Sequence, residues 1–275
     1  MLSSDLRISY GLADEKIFSR MMFEPFGDDF IYMSKLFEWG YIDKKNIVAL
    51  FGENELLPLS AFCVFPVHVK SLRRGFVDAS VMSYVVTRKE FRGNGLSSFL
   101  ISSFLKSSNN PVFLFPSELS LFDFYSALEF YPCSFSEYKV FESQNRYFRD
   151  KVKKVEFSSE VYDKYLLSKA DNEVYKDEKL FNAAIKEKEY FGGGLFSDGD
   201  SYAFFSQENG KRIVSEPFGY DLLSVAKSLS QEGRTYLTLP ANPERGRPLA
   251  MVYSANRGEY SDVFIDNFLN FNQYF

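Results

Sequence analysis

The stretch Val85–Ser97, VVTRKEFRGNGLS, carries the most specific chemistry in the chain. An apolar run, Val77–Val86, ends in a charged turn, and Arg92-Gly-Asn-Gly-Leu-Ser97 then opens a helical pattern. Gly93 and Gly95 lack a Cβ, so the backbone can bend sharply there and approach a ligand closely. The first amides of a helix have no partner within it, and the helix dipole favours an anion at that end. Successive N–H groups in such a bend form a concave anion nest. The chemistry is that of a diphosphate cradle. No Gly-Lys-Ser/Thr follows, so it is not a P-loop, and the glycines are too close for the full dinucleotide fingerprint.

A second segment lies downstream. Phe124-Tyr-Ser-Ala-Leu-Glu-Phe130 follows a short buried-strand candidate, Val112–Pro116. Taken together, the two segments resemble the GNAT acetyltransferase superfamily. Arg92-Gly-Asn-Gly-Leu-Ser97 is similar to its Gln/Arg-x-x-Gly-x-Gly/Ala motif, with Ser97 replacing the small last residue. Phe124–Phe130 is similar to its Phe-Tyr-x-x-Leu-Gly-Phe segment, with Glu129 standing where glycine is usual. The resemblance covers Val77–Phe130 firmly and the rest of the chain loosely. It implies an α+β fold, in which a central mixed sheet is flanked by helices.

It also implies acetyl-CoA as cosubstrate, no metal, and transfer of the acyl group to an amine by direct attack on the thioester. Backbone amides of Gly93, Asn94, Gly95, Leu96 and Ser97 would hold the diphosphate, with Arg92 adding charge. Val85, Val86 and Thr87 would pair with the pantetheine arm where the strands on either side of the helix splay apart. Tyr125 would donate to the leaving thiolate. No base is singled out: Asp78, Glu90, Glu118 and Asp123 are near the motifs but read as exposed charges, and a water relay needs no strong base. The terminal carboxylate of Phe275 is a further candidate. The same resemblance leaves open a module that binds coenzyme A without turnover, and aminoacyl transfer from charged tRNA.

The surrounding elements must hold these residues in place. Leu6–Tyr10 reads as a first strand and Asp14–Met22 as an amphipathic helix broken by Pro25 and Gly27. Asp29–Trp39 resumes a helical rhythm, and in the superfamily such early helices wall the acceptor site. Asn46–Phe51 and Leu57–Val69 read as a hairpin. Val77–Val86 is apolar on both faces and reads as a covered strand. Leu96, Phe99, Leu100 and Phe104 mark the helix after the cradle, widened by Ile101 and Leu105. Ser117 is placed to cap the next helix, which runs through Glu129. Tyr131–Phe141 alternates as a strand.

The expected boundary separates a catalytic domain, residues 1–148, from a smaller α/β domain, residues 149–275. The second contains helices at Val161–Ser168, Asp177–Tyr190 and Tyr220–Leu229. A hairpin turns around Gln207–Gly210, and strands follow at Thr235–Leu239 and Leu249–Tyr253. Gly192–Gly194 reads as a turn. Helix followed by hairpin echoes the first half, so this domain is either a degenerate repeat without its own cofactor or a lid or wall.

Composition narrows the classes. The chain has 275 residues, 45% hydrophobic and 25% charged, as expected of a folded domain or two. A net charge of −5 gives no broad basic face for nucleic acid, which also weighs against tRNA. Lys151–Lys154 reads as a solvated run. Two cysteines, Cys63 and Cys133, are too few for a disulfide scaffold. His68, the only histidine, has no orienting partner in sequence. No secretory leader or membrane-length apolar run is visible, so the expectation is a cytoplasmic protein with a small-molecule or peptide amine as partner.

Overall fold

The computed structural model describes residues 6–12, 14–26, 30–71, 75–142, 152–169, 173–208, 210–230, 233–241, 244 and 246–255. Contacts divide the chain into two compact units. The expected boundary at 148/149 lies outside the described residues. The two units divide at Pro132/Cys133, with residues 68–71 and 75–77 belonging to the second unit and 251–255 to the first.

The first unit opens with β1 (Arg7–Tyr10), α1 (Glu15–Phe26) and α2 (Phe30–Glu38). The helix expected to stop before Phe23 continues through Pro25 to Phe26. A proline in the last turn forfeits one backbone bond, and α1 ends a residue later in any case. Next come β2 (Ile47–Phe51), β3 (Ser60–Ser71), β4 (Gly75–Thr87), α3 (Leu96–Ser107), β5 (Val112–Leu114) and α4 (Ser120–Ser126). β1, β2 and β3 pair antiparallel, with Arg7 opposite Phe51 and Ile47 opposite Cys63. β5 pairs parallel with β4, Ser80 to Val112 through Met82 to Leu114.

The buried side of α3 is Leu96, Leu100, Ile101 and Leu105, packed with Val48, Leu50, Phe62, Met82 and Leu114. Phe99, expected in that stripe, is 39% exposed, because the stripe centres on Leu100 and Ile101. Phe18 and Met22 of α1, and Met33 and Leu36 of α2, are also fully buried. Ser117 does not cap α4. The helix starts at Ser120, and its first turn is closed by Leu121 N to Glu118 O and Phe122 N to Leu119 O, which leaves no need for a side-chain cap.

The second unit contains β6 (Tyr131–Phe141), β7 (Lys153–Val155), α5 (Ser159–Leu167), β8 (Val174–Tyr175), α6 (Glu178–Tyr190) and β9 (Gly194–Ser197). β10 (Ser201–Glu208), β11 (Lys211–Gly219), α7 (Ser224–Leu229), β12 (Thr235–Pro240) and β13 (Arg247–Tyr253) complete it. Ser158 and Asp177 cap α5 and α6 by accepting from Val161 N and Leu180 N. β9, β10 and β11 form a meander, and β12 joins β11 in parallel. The last part of β13, Met251–Tyr253, lies in the first unit and pairs antiparallel with Leu114–Val112 of β5.

Candidate functional site

Between β4 and α3 the chain makes a single 3-10 turn, Lys89–Phe91, and then bends through Gly93 and Gly95 at φ +78° and +71°. These left-handed values favour glycine on conformational grounds, and a Cβ at either position would project into open space. The first bond of the helix runs from Phe99 N to Gly95 O at 2.9 Å. Among the described residues, the amides of Gly93, Asn94, Gly95, Leu96, Ser97 and Ser98 have no acceptor. Asn94 turns its own side chain back, donating from Nδ2 to the carbonyls of Phe91 and Arg92 at 3.1 and 3.3 Å. The result is a run of main-chain donors at the positive end of a helix, with no carboxylate in its first turn.

β5 stops at Leu114 while β4 continues to Thr87, so among the described residues Ser83–Thr87 have no strand on the β5 side. Tyr84 takes φ +54°, a left-handed value in mid-strand that marks where the two strands part. The carbonyl of Val86 accepts from Ser60 Oγ at 2.8 Å and therefore faces β3. By alternation along the strand, the carbonyl of Val85 faces the opened edge. Thr87 O accepts from Arg92 Nε at 3.0 Å, which folds the arginine back over the end of β4.

Tyr125 is 7% exposed and belongs to the same apolar cluster as Leu96, Met82 and Leu114. Its ring sits edge-on to Phe124 and Phe130, at centroid distances of 4.9 and 5.8 Å. Among the described residues its hydroxyl has no hydrogen-bond partner, and burial pushes its pKa up to about 12. The turn behind it is a Schellman motif: Phe130 N donates to Tyr125 O and Glu129 N to Ser126 O. Glu129 takes φ +68° there, so a glutamate adopts the left-handed conformation usually given to glycine.

No family model matches the sequence, and no curated protein matches it in sequence. Solved structures do match. A GCN5-related N-acetyltransferase from Kribbella flavida superposes with a TM-score of 0.64 at 15% identity, covering 90% of this chain and 71% of that one. A conserved protein of unknown function from Enterococcus faecalis gives 0.69 at 13% identity, covering 94% and 74%. Saccharomyces cerevisiae N-myristoyltransferase with bound myristoyl-CoA gives 0.58 at 10% identity, covering 92% and 83%. The chain has the fold of the GCN5-related N-acetyltransferases.

Within this GNAT fold, the candidate bases are not drawn inward. Asp78, Glu118 and Asp123 are exposed. Glu90 pairs with Arg88, whose Nη2 lies 2.6 Å from its carboxylate, and its pKa is lowered by a backbone hydrogen bond and by that arginine. His68 stacks on Tyr175 across β3 and β8, at 5.3 Å between centroids. Cys63 and Cys133 are fully buried and burial raises both thiols, so they behave as small apolar residues. Among the described residues no metal-binding group of side chains occurs, and no helix is long and apolar enough to cross a membrane. Phe275 lies outside the described residues.

Sequence reasoning missed Ser60, which orients Val86, and Glu55, which holds Arg88 at 2.8 Å. It also missed Arg20 of α1, which lines a cleft of about 250 Å³ with Thr87, Arg88 and Arg92. Nothing in their local sequence distinguishes these residues from ordinary polar ones.

The second unit holds a comparable strand–helix–strand. β12 pairs with β11 over Arg212–Thr235 to Val214–Leu237, and Glu216, two residues on, takes φ +45°. In the first unit β5 pairs with β4 as far as Met82, and Tyr84, again two residues on, is left-handed. Here the resemblance ends. Asp221 accepts from Leu223 N at 2.9 Å and so places a carboxylate at the start of α7. Glu216 is buried and ion-paired to Lys176. Beside them Lys169 Nζ lies 4.3 Å from the centre of the Tyr165 ring, and burial lowers its pKa. Gly192 and Gly194 are left-handed, at φ +71° and +140°, and Gly193 N returns to Lys188 O, which makes the triplet the exit turn of α6.

Proposed function

We propose that the chain is an acyl-CoA-dependent N-acyltransferase, using acetyl-CoA to acylate an amine on a small molecule or peptide at a site in its first unit. The observation that carries this reading is the run of unpartnered amides from Gly93 to Ser98, lying beside a strand whose far edge is open and a tyrosine whose hydroxyl is free among the described residues. The residues fit the donor on that ground. The donor, when bound, supplies an activated acyl group on sulfur.

Gly93–Ser97 would hold the diphosphate through main-chain N–H groups, and Arg92 would add charge at its edge. Val85, with its carbonyl toward the opened edge, is the best placed of Val85, Val86 and Thr87 to align the pantetheine arm. Alignment of this kind lowers the barrier by fixing the reacting atoms in register.

Tyr125 would steady the departing sulfur. An alkyl thiol ordinarily titrates near 8.5, about 3.5 units below this phenol, so full proton transfer to the thiolate is uphill by roughly 5 kcal/mol. Tyr125 therefore acts as a hydrogen-bond donor that stays protonated, and the thiolate takes its proton from the attacking amine through water. With Asp78, Glu118 and Asp123 exposed and Glu90 paired, deprotonation by water suits the site better than a dedicated carboxylate.

The second unit reads as a degenerate repeat of the same fold that holds no donor. In it a carboxylate stands where an anion would bind, and a buried ion pair occupies the parting of the strands. Use of acyl-CoA suits a cytoplasmic protein.

The test is release of free thiol from acetyl-CoA with a panel of amines, alongside calorimetric titration with coenzyme A. Binding with amine-dependent thiol release is the expected result. Binding without release from any amine would leave a non-catalytic coenzyme A module, and absence of binding would overturn the reading.

A further inference from the structure

The end of β4 is held from one side only. Beyond Met82 its strand neighbour among the described residues is β3 alone. A strand end with one bare edge opens more readily than one paired on both sides. Here the paired edge is fixed by side chains as well as by the ladder. Ser60, at the start of β3, is fully buried, and its Oγ donates to Val86 O at 2.8 Å. A serine hydroxyl has one proton to give, so its 3.0 Å contact with Thr87 Oγ1 is donated by the threonine. Thr87 O in turn accepts from Arg92 Nε at 3.0 Å, and Arg88 N donates to Leu59 O at 3.0 Å. With Ser60 out of reach of bulk solvent, a bond lost there is not taken over by water.

Fixing the Val86 carbonyl toward β3 leaves the peptide groups of Val85 turned to the opened edge, because successive residues of a strand alternate. Through Thr87 the same hydroxyl also reaches the bend, since Arg92, which grips the Thr87 carbonyl, directly precedes Gly93. One buried hydroxyl therefore stands behind both features that would hold the donor, the opened edge and the amide run, and fixes one relative to the other. A ligand spanning both gains from that fixed relation, and a ligand held by the amides alone does not.

We infer that Ser60 is a positioning residue, which holds the opened edge of β4 in the place and orientation that a pantetheine arm needs once its diphosphate is on the amides. This rests on the acyl-CoA reading above and adds to it a residue that touches no substrate and acts from β3 through Val86 and Thr87. Its loss is felt by the arm and not by the nucleotide.

The experiment is calorimetric titration of the full chain with coenzyme A and with 3′-phospho-ADP, its nucleotide half, which keeps the diphosphate and lacks the arm. Wild type should bind coenzyme A more tightly than 3′-phospho-ADP. Ser60→Ala should weaken coenzyme A roughly three- to tenfold, the worth of one neutral hydrogen bond, and leave 3′-phospho-ADP within about twofold. Ser60→Cys, with a weakly donating thiol of similar shape, should fall between wild type and Ser60→Ala. Thr87→Val keeps the branched shape, removes the proton given to Ser60 and should show the same selective loss. It carries the test, with Ser60→Cys, if circular dichroism finds Ser60→Ala unfolded. Ser230 is a matched control in the second unit, buried, with Oγ donating to Lys227 O at 2.7 Å. Ser230→Ala should lower the melting temperature and change neither affinity. Equal weakening of both ligands by Ser60→Ala would make the serine a general support of the fold and overturn the inference. So would a coenzyme A affinity untouched by the substitution, or a wild type that binds the two ligands alike. Failure of wild type to bind either would remove the donor reading itself, a result distinct from the others.

Discussion

Gly95→Ala separates the conformational demand of the loop from its proposed occupancy. Gly95 sits at φ +71°, and an added Cβ would meet nothing within 4 Å. In the free protein the substitution therefore costs only left-handed strain, about 1–2 kcal/mol, offset by roughly 0.4–1 kcal/mol because alanine is less free than glycine when unfolded. The net loss is about 1 kcal/mol, or roughly 2–4 °C in melting temperature for a chain of this size. Gly192 is a matched control: it has the same φ of +71° and the same open space, at the exit of α6. Gly192→Ala should lose a similar amount.

The two variants should diverge only with coenzyme A present. At about 100 times its dissociation constant, a ligand stabilises by roughly 2.7 kcal/mol, a rise of about 5–10 °C here. Gly192→Ala should keep that rise. Gly95→Ala should lose most of it, because the new methyl occupies space where the diphosphate would approach the amides. Differential scanning fluorimetry with and without coenzyme A reads both effects. If Gly95→Ala melts lower but retains the full ligand-induced rise, the anion does not sit at this bend.

Tyr125→Phe should leave stability within about 0.5 kcal/mol at neutral pH, since among the described residues the hydroxyl has no partner to lose, while turnover falls at least tenfold at unchanged donor affinity; unchanged turnover would remove Tyr125 from the reaction. The same phenol titrates near 12 when folded and near 10 when unfolded, so the native state binds more protons between those values. Wild-type stability should therefore fall as pH rises from about 10 to 12, by more than in Tyr125→Phe, as measured by urea denaturation. Glu129→Gly should raise stability by about 1 kcal/mol in the same measurement by relieving φ +68°. Lys176→Met strands the Glu216 carboxylate in the interior and should cost about 3–5 kcal/mol, most of it recovered in the double variant with Glu216→Gln; additive losses would show the pair uncoupled. Burial lowers the pKa of Lys169 despite Glu173 and Glu216 beside it, so the unfolded chain binds more protons between that lowered value and about 10.5, and wild-type stability relative to Lys169→Met should rise with pH through that window in the same measurement.

The sequence was most readable where a single residue type solves a local problem. Gly93 and Gly95 announced a left-handed bend, and the switch from covered strand to helix at Leu96 placed it at a helix start. Tyr125 was found from its flanking aromatics, which are the residues that bury it. The hairpin around Gln207–Gly210 was read from its turn residues, and Glu208 opposite Lys211 is its last pair. Short strands escaped notice: Lys153–Val155 and Val174–Tyr175 are too brief to show a period, and only pairing with Leu195–Ser197 and His68–Val69 defines them. Arg20 and Arg92 could not be matched from sequence, since an exposed arginine looks the same whether or not a cleft lies beside it. The left-handed Tyr84 and Glu216 were equally hidden, because neither residue type prefers that conformation and only the sheet imposes it.

The antiparallel partner of β5 is the end of β13, Met251–Tyr253, separated from it by about half the chain. The sheet of the first unit therefore cannot be finished on a ribosome until residue 253 has been translated. An amino-terminal fragment ending anywhere before residue 251 would leave β5 with an uncovered edge, open to other chains. Dissection into separately expressed halves should yield aggregation-prone pieces, and soluble halves would require residues 251–253 to be returned to the first as a fused or added strand.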